Sequence, residues 1–237
     1  MTDHRRRPPL WAAVTVAVAF AVLVGLGIWQ LQRLDWKEAL IAERVAQSRL
    51  PPVALPADFG PAELLDYRKV AVRGRFLHDR ELYLDGRLHK GQVGLDVVTP
   101  LVLDDGRTLL VNRGWAPKSA RDPARRPDGQ VPGEVAVEGA LKRGGWGGLD
   151  LFRPDNQPAE NVWLWPDLPA MAAAAELENP ITELYLIAGP APNPGGLPIG
   201  REIAVDLPND HLGYALTWFG LAGALAIIAG LAHFRTK

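Results

Sequence analysis

Two uninterrupted apolar runs stand near the ends of the chain, and polar and apolar positions alternate between them. Leu10 to Trp29 is a run of 20 residues with no charge and no side-chain amide, and Thr15 is its only polar residue. A helix of that length spans roughly 30 Å, the thickness of a bilayer's hydrocarbon core. A basic flank at Arg5–Arg7 suits a cleaved signal peptide as well as an anchor. The run is longer than a usual signal core, however, and no small-x-small site precedes a polar start. Helix-compatible apolar positions also continue at Leu31, Leu34, Leu40, Ile41 and Val45, so an uncleaved anchor is expected. Tyr214 to Leu231 is the second run, 18 residues with Thr217 as its only hydroxyl besides the edge tyrosine. A buried core helix is the alternative there; the short basic stretch that follows favours a second span. Trp11, Trp29, Trp36, Tyr214 and Trp218 fall at or near the run ends, where an aromatic belt would lie.

The middle of the chain carries strand signals. Val70, Val72, Gly74 and Phe76 alternate with Lys69, Ala71, Arg73 and Arg75. Further strands are expected at Glu81–Leu84, Val93–Val98, Leu101–Leu103, Thr108–Val111, around Val135 and Val137, and at Ile181–Ala188. Asp104-Asp105-Gly106-Arg107 between two of them reads as a hairpin turn. An Ala-rich stretch from Leu168 to Leu177 predicts one short helix, with Asp167 as its cap. Arg44–Pro61, with four prolines, reads as an extended connector. The fold class expected is an α+β membrane protein: two transmembrane helices flanking a mainly antiparallel β domain with one or two short helices. The expected boundaries are a tail at 1–9, a span at 10–29, a helix extension and connector at 30–60, the β domain at 61–208, a second span at 209–231 and a tail at 232–237.

Charge adds an orientation. Arg5–Arg7 precede the first run, and Arg235 and Lys237 follow the second. Both tails are therefore expected in the cytoplasm and the central domain outside it. The net charge is −1 and the middle of the chain carries no basic stripe, which argues against a nucleic-acid partner. With no cysteine in the chain, disulfides, thiolate metal sites and a thiol nucleophile are excluded.

Candidate chemistry is sparse. The chain has no P-loop, no G-x-S-x-G elbow, no H-E-x-x-H and no Rossmann fingerprint. His78 and His89 read as solvated turn residues, and Arg121–Arg126 as a solvated loop. His211 stands three residues before the second run, in Asn209-Asp210-His211-Leu212-Gly213-Tyr214. There it is either an interfacial polar residue or a haem-iron ligand, since neutral imidazole commonly holds haem iron. Arg113, in Val111-Asn112-Arg113-Gly114-Trp115, could meet a propionate or a partner, or could stack on Trp115 and lock a turn.

Several segments together resemble the Surf1/Shy1 family. Gly27-Ile28-Trp29-Gln30-Leu31-Gln32-Arg33-Leu34-Asp35-Trp36-Lys37 is similar to its first-helix motif, and Arg73-Gly74-Arg75-Phe76 to an early strand motif. Val98-Thr99-Pro100-Leu101 and Asn112-Arg113-Gly114-Trp115 resemble its central signature. Asn209 to Phe219 resembles the start of its second helix, with Asp210 where a second Asn is expected. The short leader suggests a bacterial member in the plasma membrane. The resemblance implies a non-enzymatic assembly factor for haem-copper cytochrome c oxidase, one that binds haem a as transient cargo. Its partners would be the oxidase catalytic subunit, haem a synthase and membrane lipid. The family's histidine falls on His211 as iron ligand. Tyr214 and Trp218 become pocket walls, Trp29 and Trp36 line the facing helix, and Arg113 or Arg33 would meet the propionates. The alternative is a scaffold that stabilises oxidase subunits without touching haem.

Overall fold

A computed structural model describes residues 9–201 and 209–235, so Arg5–Arg7, Lys237 and the expected end of the β domain at 208 lie outside the described residues. The chain divides into two compact units, residues 1–43 with 206–237, and residues 44–205.

The first unit is a helix pair. Helix α1 spans Leu10–Arg49, and its residues up to Glu43 belong to this unit. Helix α3 spans His211–Arg235. Both are long and apolar enough to cross a membrane, and only 6% and 11% of their apolar stretches are buried. A soluble protein's core helix would be mostly enclosed, so the core-helix alternative for the second run fails. Exposed Val14, Val18, Leu216, Ile227 and Ile228 instead suit hydrocarbon as the solvent, and the chain is a membrane protein. Small residues form the seam. Gly27 on α1 and Ala215 and Ala222 on α3 are buried, and a Cβ added at Gly27 would stand 2.6 Å from the Phe219 ring. In hydrocarbon, close approach through small residues gains the contacts that helix pairing relies on.

The second unit is built on seven strands. They are β1 Val53–Ala54, β2 Lys69–Phe76, β3 Leu82–His89, β4 Gln92–Leu103, β5 Thr108–Pro117, β6 Glu134–Arg143 and β7 Leu184–Ala188. The sheet order is β1-β2-β6-β7-β5-β4-β3, and β2 also pairs with β4. That extra pairing closes β2, β6, β7, β5 and β4 into a five-stranded barrel, with β1 and β3 added outside it. Only β1–β2 and β5–β7 are parallel.

Alternation along the strands sorts side chains to the two faces. Val70, Val72, Leu109, Val111, Leu184 and Leu186 fill one core cluster. Leu110, Tyr185 and Ile187 point the other way, joining Leu82, Leu84, Trp163 and Met171 in a second core. That second core lies under helix α2, Leu168–Ala174, which supplies Leu168 and Met171. The Asp167 carboxylate accepts from the Ala170 N–H, as a cap should.

Three expectations change. β4 runs unbroken through Pro100 where two strands were expected. Its partner on one side switches from β3, paired up to Val98, to β2, paired from Leu101. Pro100 sits in that gap, where its missing N–H costs no ladder bond. β3 continues past Leu84, the expected end of its strand, to His89 through a bulge. α1 extends to Arg49, into the expected connector, and β1 pairs a short piece of the remainder onto β2.

Gly74 explains the Arg73-Gly74-Arg75-Phe76 motif. A Cβ there would lie 2.1 Å from the Val102 carbonyl oxygen, where β2 meets β4 to close the barrel. Backbone cannot swing aside as a side chain can. Gly74→Ala should therefore destabilise the domain by about 1–3 kcal/mol, the usual cost of overpacking, and a thermal-unfolding scan of the purified protein would show an unchanged Tm if the close approach were slack.

Candidate functional site

Of the residues singled out in the sequence, Arg113 is the most enclosed. It sits on β5 with 2% of its surface exposed. Its guanidinium donates to the Gly129 carbonyl and to Asn193 Oδ1, stacks over Phe76 and stands 3.7 Å from Glu81 Oε1. These contacts hold the guanidinium inside the barrel domain. The bland alternative needs correction, because its ring partner is Phe76 rather than Trp115.

Arg113 belongs to a buried charge cluster centred on Glu81. Arg126 makes a two-pronged pair with the Glu81 carboxylate, and Gln130 donates to it as well. Arg126 is buried while Asp122, Ala124 and Arg125 are exposed, so the stretch Arg121–Arg126 is the expected solvated loop only in part. His78 is not a solvated turn residue. It is half-buried, with Nε2 at 3.0 Å from the Val131 carbonyl and Nδ1 at 3.7 Å from Glu81. His89 packs against the Trp115 ring. Burial alone would raise the Glu81 pKa. The facing His78, the hydrogen bonds and charge of Arg126, and Gln130 overcome that and pull it to about 2. Burial lowers the Arg113 guanidinium to about 10, against the pull of Glu81, and it stays charged at neutral pH.

The rest of Asn112-Arg113-Gly114-Trp115 is structural as well. Asn112 donates to buried Asp96, and its Oδ1 accepts from the Gly114 N–H. Gly114 has φ +116° and leaves no room for a Cβ, which would fall 2.0 Å from the Ile199 carbonyl oxygen. Trp115 and Ile199 exchange backbone hydrogen bonds, and the Trp115 indole donates to the Arg87 carbonyl. The domain also carries a cavity of about 950 Å³, lined in part by Arg49, Lys69, Glu138, Ile187 and Arg201.

The helix pair holds the other candidates. His211 is the first residue of α3, and Nδ1 of its ring lies 2.7 Å from Oε1 of Gln30 on α1. Gln30 is buried, and the sequence reading passed over it as the first residue after the apolar run. Its sequence signals are its position, an amide one residue beyond 20 residues that have none, and its place inside the first-helix motif. His211, Tyr214 and Trp218 lie at i, i+3 and i+7 and so share a face of α3. Tyr214 is exposed and Trp218 half-buried. Trp29 and Trp36 share a face of α1 at i, i+7 and are 49% and 52% exposed, so neither is enclosed against α3. Arg33 stacks over the Trp36 ring at 4.7 Å. Among the described residues no cluster of three His, Cys, Asp or Glu could hold a metal ion.

A haem iron would need an imidazole nitrogen that carries a lone pair. Oε1 of an amide only accepts, so with that oxygen facing the ring the proton must sit on Nδ1. In that tautomer the neutral imidazole carries its lone pair on Nε2, the form that binds iron. The residues fit a haem held by one protein ligand.

The chain is similar to known proteins along most of its length. The model of the SURF1 family matches residues 17–223. A SURF1-like protein of Monosiga brevicollis is 36% identical over 225 residues, covering 90% of this chain and 82% of that protein. Surfeit locus protein 1 of Mus musculus is 39% identical, covering 88% of this chain and 71% of that one. The Homo sapiens protein of the same name is also 39% identical, covering 86% and 71%.

The Glu81 cluster makes a prediction about acid. Its carboxyl titrates near 4.5 when unfolded and about 2 when folded. A depressed folded pKa gives stability that is complete above the unfolded value and is lost as pH falls towards the folded one. Glu81→Gln strands two guanidiniums and should cost about 3–5 kcal/mol at neutral pH. The gap between wild type and Glu81→Gln in urea midpoints should shrink as pH drops from about 5 to about 2; a gap constant across that window would mean that Glu81 is not held charged by its neighbours.

Proposed function

The chain belongs to the SURF1 family, and on that premise we propose that it is a membrane assembly factor for haem-copper cytochrome c oxidase, binding haem a through His211 and assisting its transfer to the catalytic subunit. The observation that carries the haem reading is the Nδ1 contact of His211 with Gln30 at 2.7 Å, with no hydrogen-bond partner at Nε2 among the described residues. Haem a supplies an iron that accepts an axial imidazole, on a ring that is apolar apart from two propionates.

The chain's own residues supply the remainder. Tyr214 and Trp218 share the His211 face and offer apolar surface to a flat ring. Trp29 and Trp36 offer the same on α1, and Arg33, poised over Trp36, is the cation for a propionate in place of Arg113. A single protein ligand suits a carrier, since release breaks one coordinate bond. The basic flanks Arg5–Arg7 and Lys237 support cytoplasmic termini, with the β domain on the opposite side of the membrane as the surface that meets oxidase subunits and haem a synthase.

Purified protein co-expressed with haem a synthesis should show a bound-haem optical spectrum, and His211→Ala should lose about tenfold or more of the haem, the scale of losing a ligand's support or more. A protein that carries no haem, or that keeps it in His211→Ala, would favour the scaffold that works through the β domain alone.

A further inference from the structure

We infer that Gln30 is the positioning residue of the His211 site, fixing the imidazole's tautomer and rotation so that Nε2 faces cargo; this rests on the haem reading proposed above. A buried amide is costly among apolar side chains unless it is paired. Gln30 is buried in α1, one helical turn from Gly27, where the two helices come close enough for Phe219 to fill the space of a Cβ. Its Oε1 meets His211 Nδ1 at 2.7 Å across 181 residues of sequence.

Two consequences follow from that bond. A carbonyl oxygen has no proton to give, so the ring nitrogen facing it holds one. The free imidazole prefers the opposite tautomer, with its proton on Nε2, and in that form it cannot ligate iron through Nε2. Gln30 therefore selects the ligating form before cargo arrives. The bond also stops rotation about the ring's own axis, as the outer partners of metal-bound histidines do in general. A plain tie between helices would need neither effect. Any donor–acceptor pair could serve it, in either tautomer.

The test uses the full chain in detergent, with Gln30→Leu, Gln30→Glu and His211→Ala. Gln30→Leu keeps the volume and suits the apolar seam, so the helices remain able to pair. In haem-free wild type, ¹⁵N spectra of the histidine rings should show His211 protonated at Nδ1. In Gln30→Leu the proton should shift towards Nε2, and affinity for added haem should fall about 10- to 100-fold. Gln30→Glu keeps an acceptor oxygen and should restore binding. Its negative charge should also lower the midpoint potential of the bound haem relative to wild type. Wild-type affinity, spectrum and tautomer in Gln30→Leu, with haem lost in His211→Ala, would overturn the positioning role alone. Haem retained in His211→Ala would overturn the ligand reading and the Gln30 role with it.

Discussion

The β domain is organised around a carboxylate largely shut off from solvent. Glu81 is 6% exposed and faces two guanidiniums, Arg113 from β5 and Arg126 from the turns that follow β5. Removing charge from water costs several kcal/mol per ion, and good geometry with further hydrogen bonds is needed to offset it. That demand explains why so many elements meet at this point. Thr99 of β4, Gln130 beyond the turns and Tyr83 of β3 all direct polar atoms at the carboxylate. The carboxylate thus ties together chain segments that strand pairing alone would not bring together, among them the single turns from Lys118 to Gly129.

The family-like segments acquire different physical meanings. In the barrel domain they serve packing. Gly74 lets β2 touch β4, Pro100 marks a change of neighbour, and Gly114 admits the Ile199 backbone. On the helices they hold a polar contact across the seam, between Gln30 and His211. Signature residues in the same chain are therefore not equal as candidates for chemistry. Those on β5 are tied into the barrel domain, and His211 at the start of α3 is tied to α1 through Nδ1.

Local pattern was enough for much of this architecture. The apolar runs of α1 and α3, the Asp-Gly hairpin between β4 and β5, and the Asp167 cap each follow from residues close in sequence. Contacts over long separations were not legible. Arg126 looks solvated in a stretch rich in charge and proline, and only Glu81, 45 residues earlier, makes its burial tolerable. Arg113 looks like a ligand contact for the same reason: nothing near it in sequence says that Asn193 and Gly129 will accept its hydrogen bonds. For the candidate site, position marked His211, whereas Gln30 could be recognised only once its partner across the seam was in place.

The bond between Gln30 and His211 also bears on how the molecule comes to exist. Residues at its two ends are 181 apart, so α1 is made and placed in the membrane long before α3. Until α3 arrives the Gln30 amide lacks its His211 partner. A chain that ends early, or that threads its last helix the wrong way round, never forms that bond. The contact therefore belongs to the last stage of assembly, and only a chain whose final helix lies beside its first can make it.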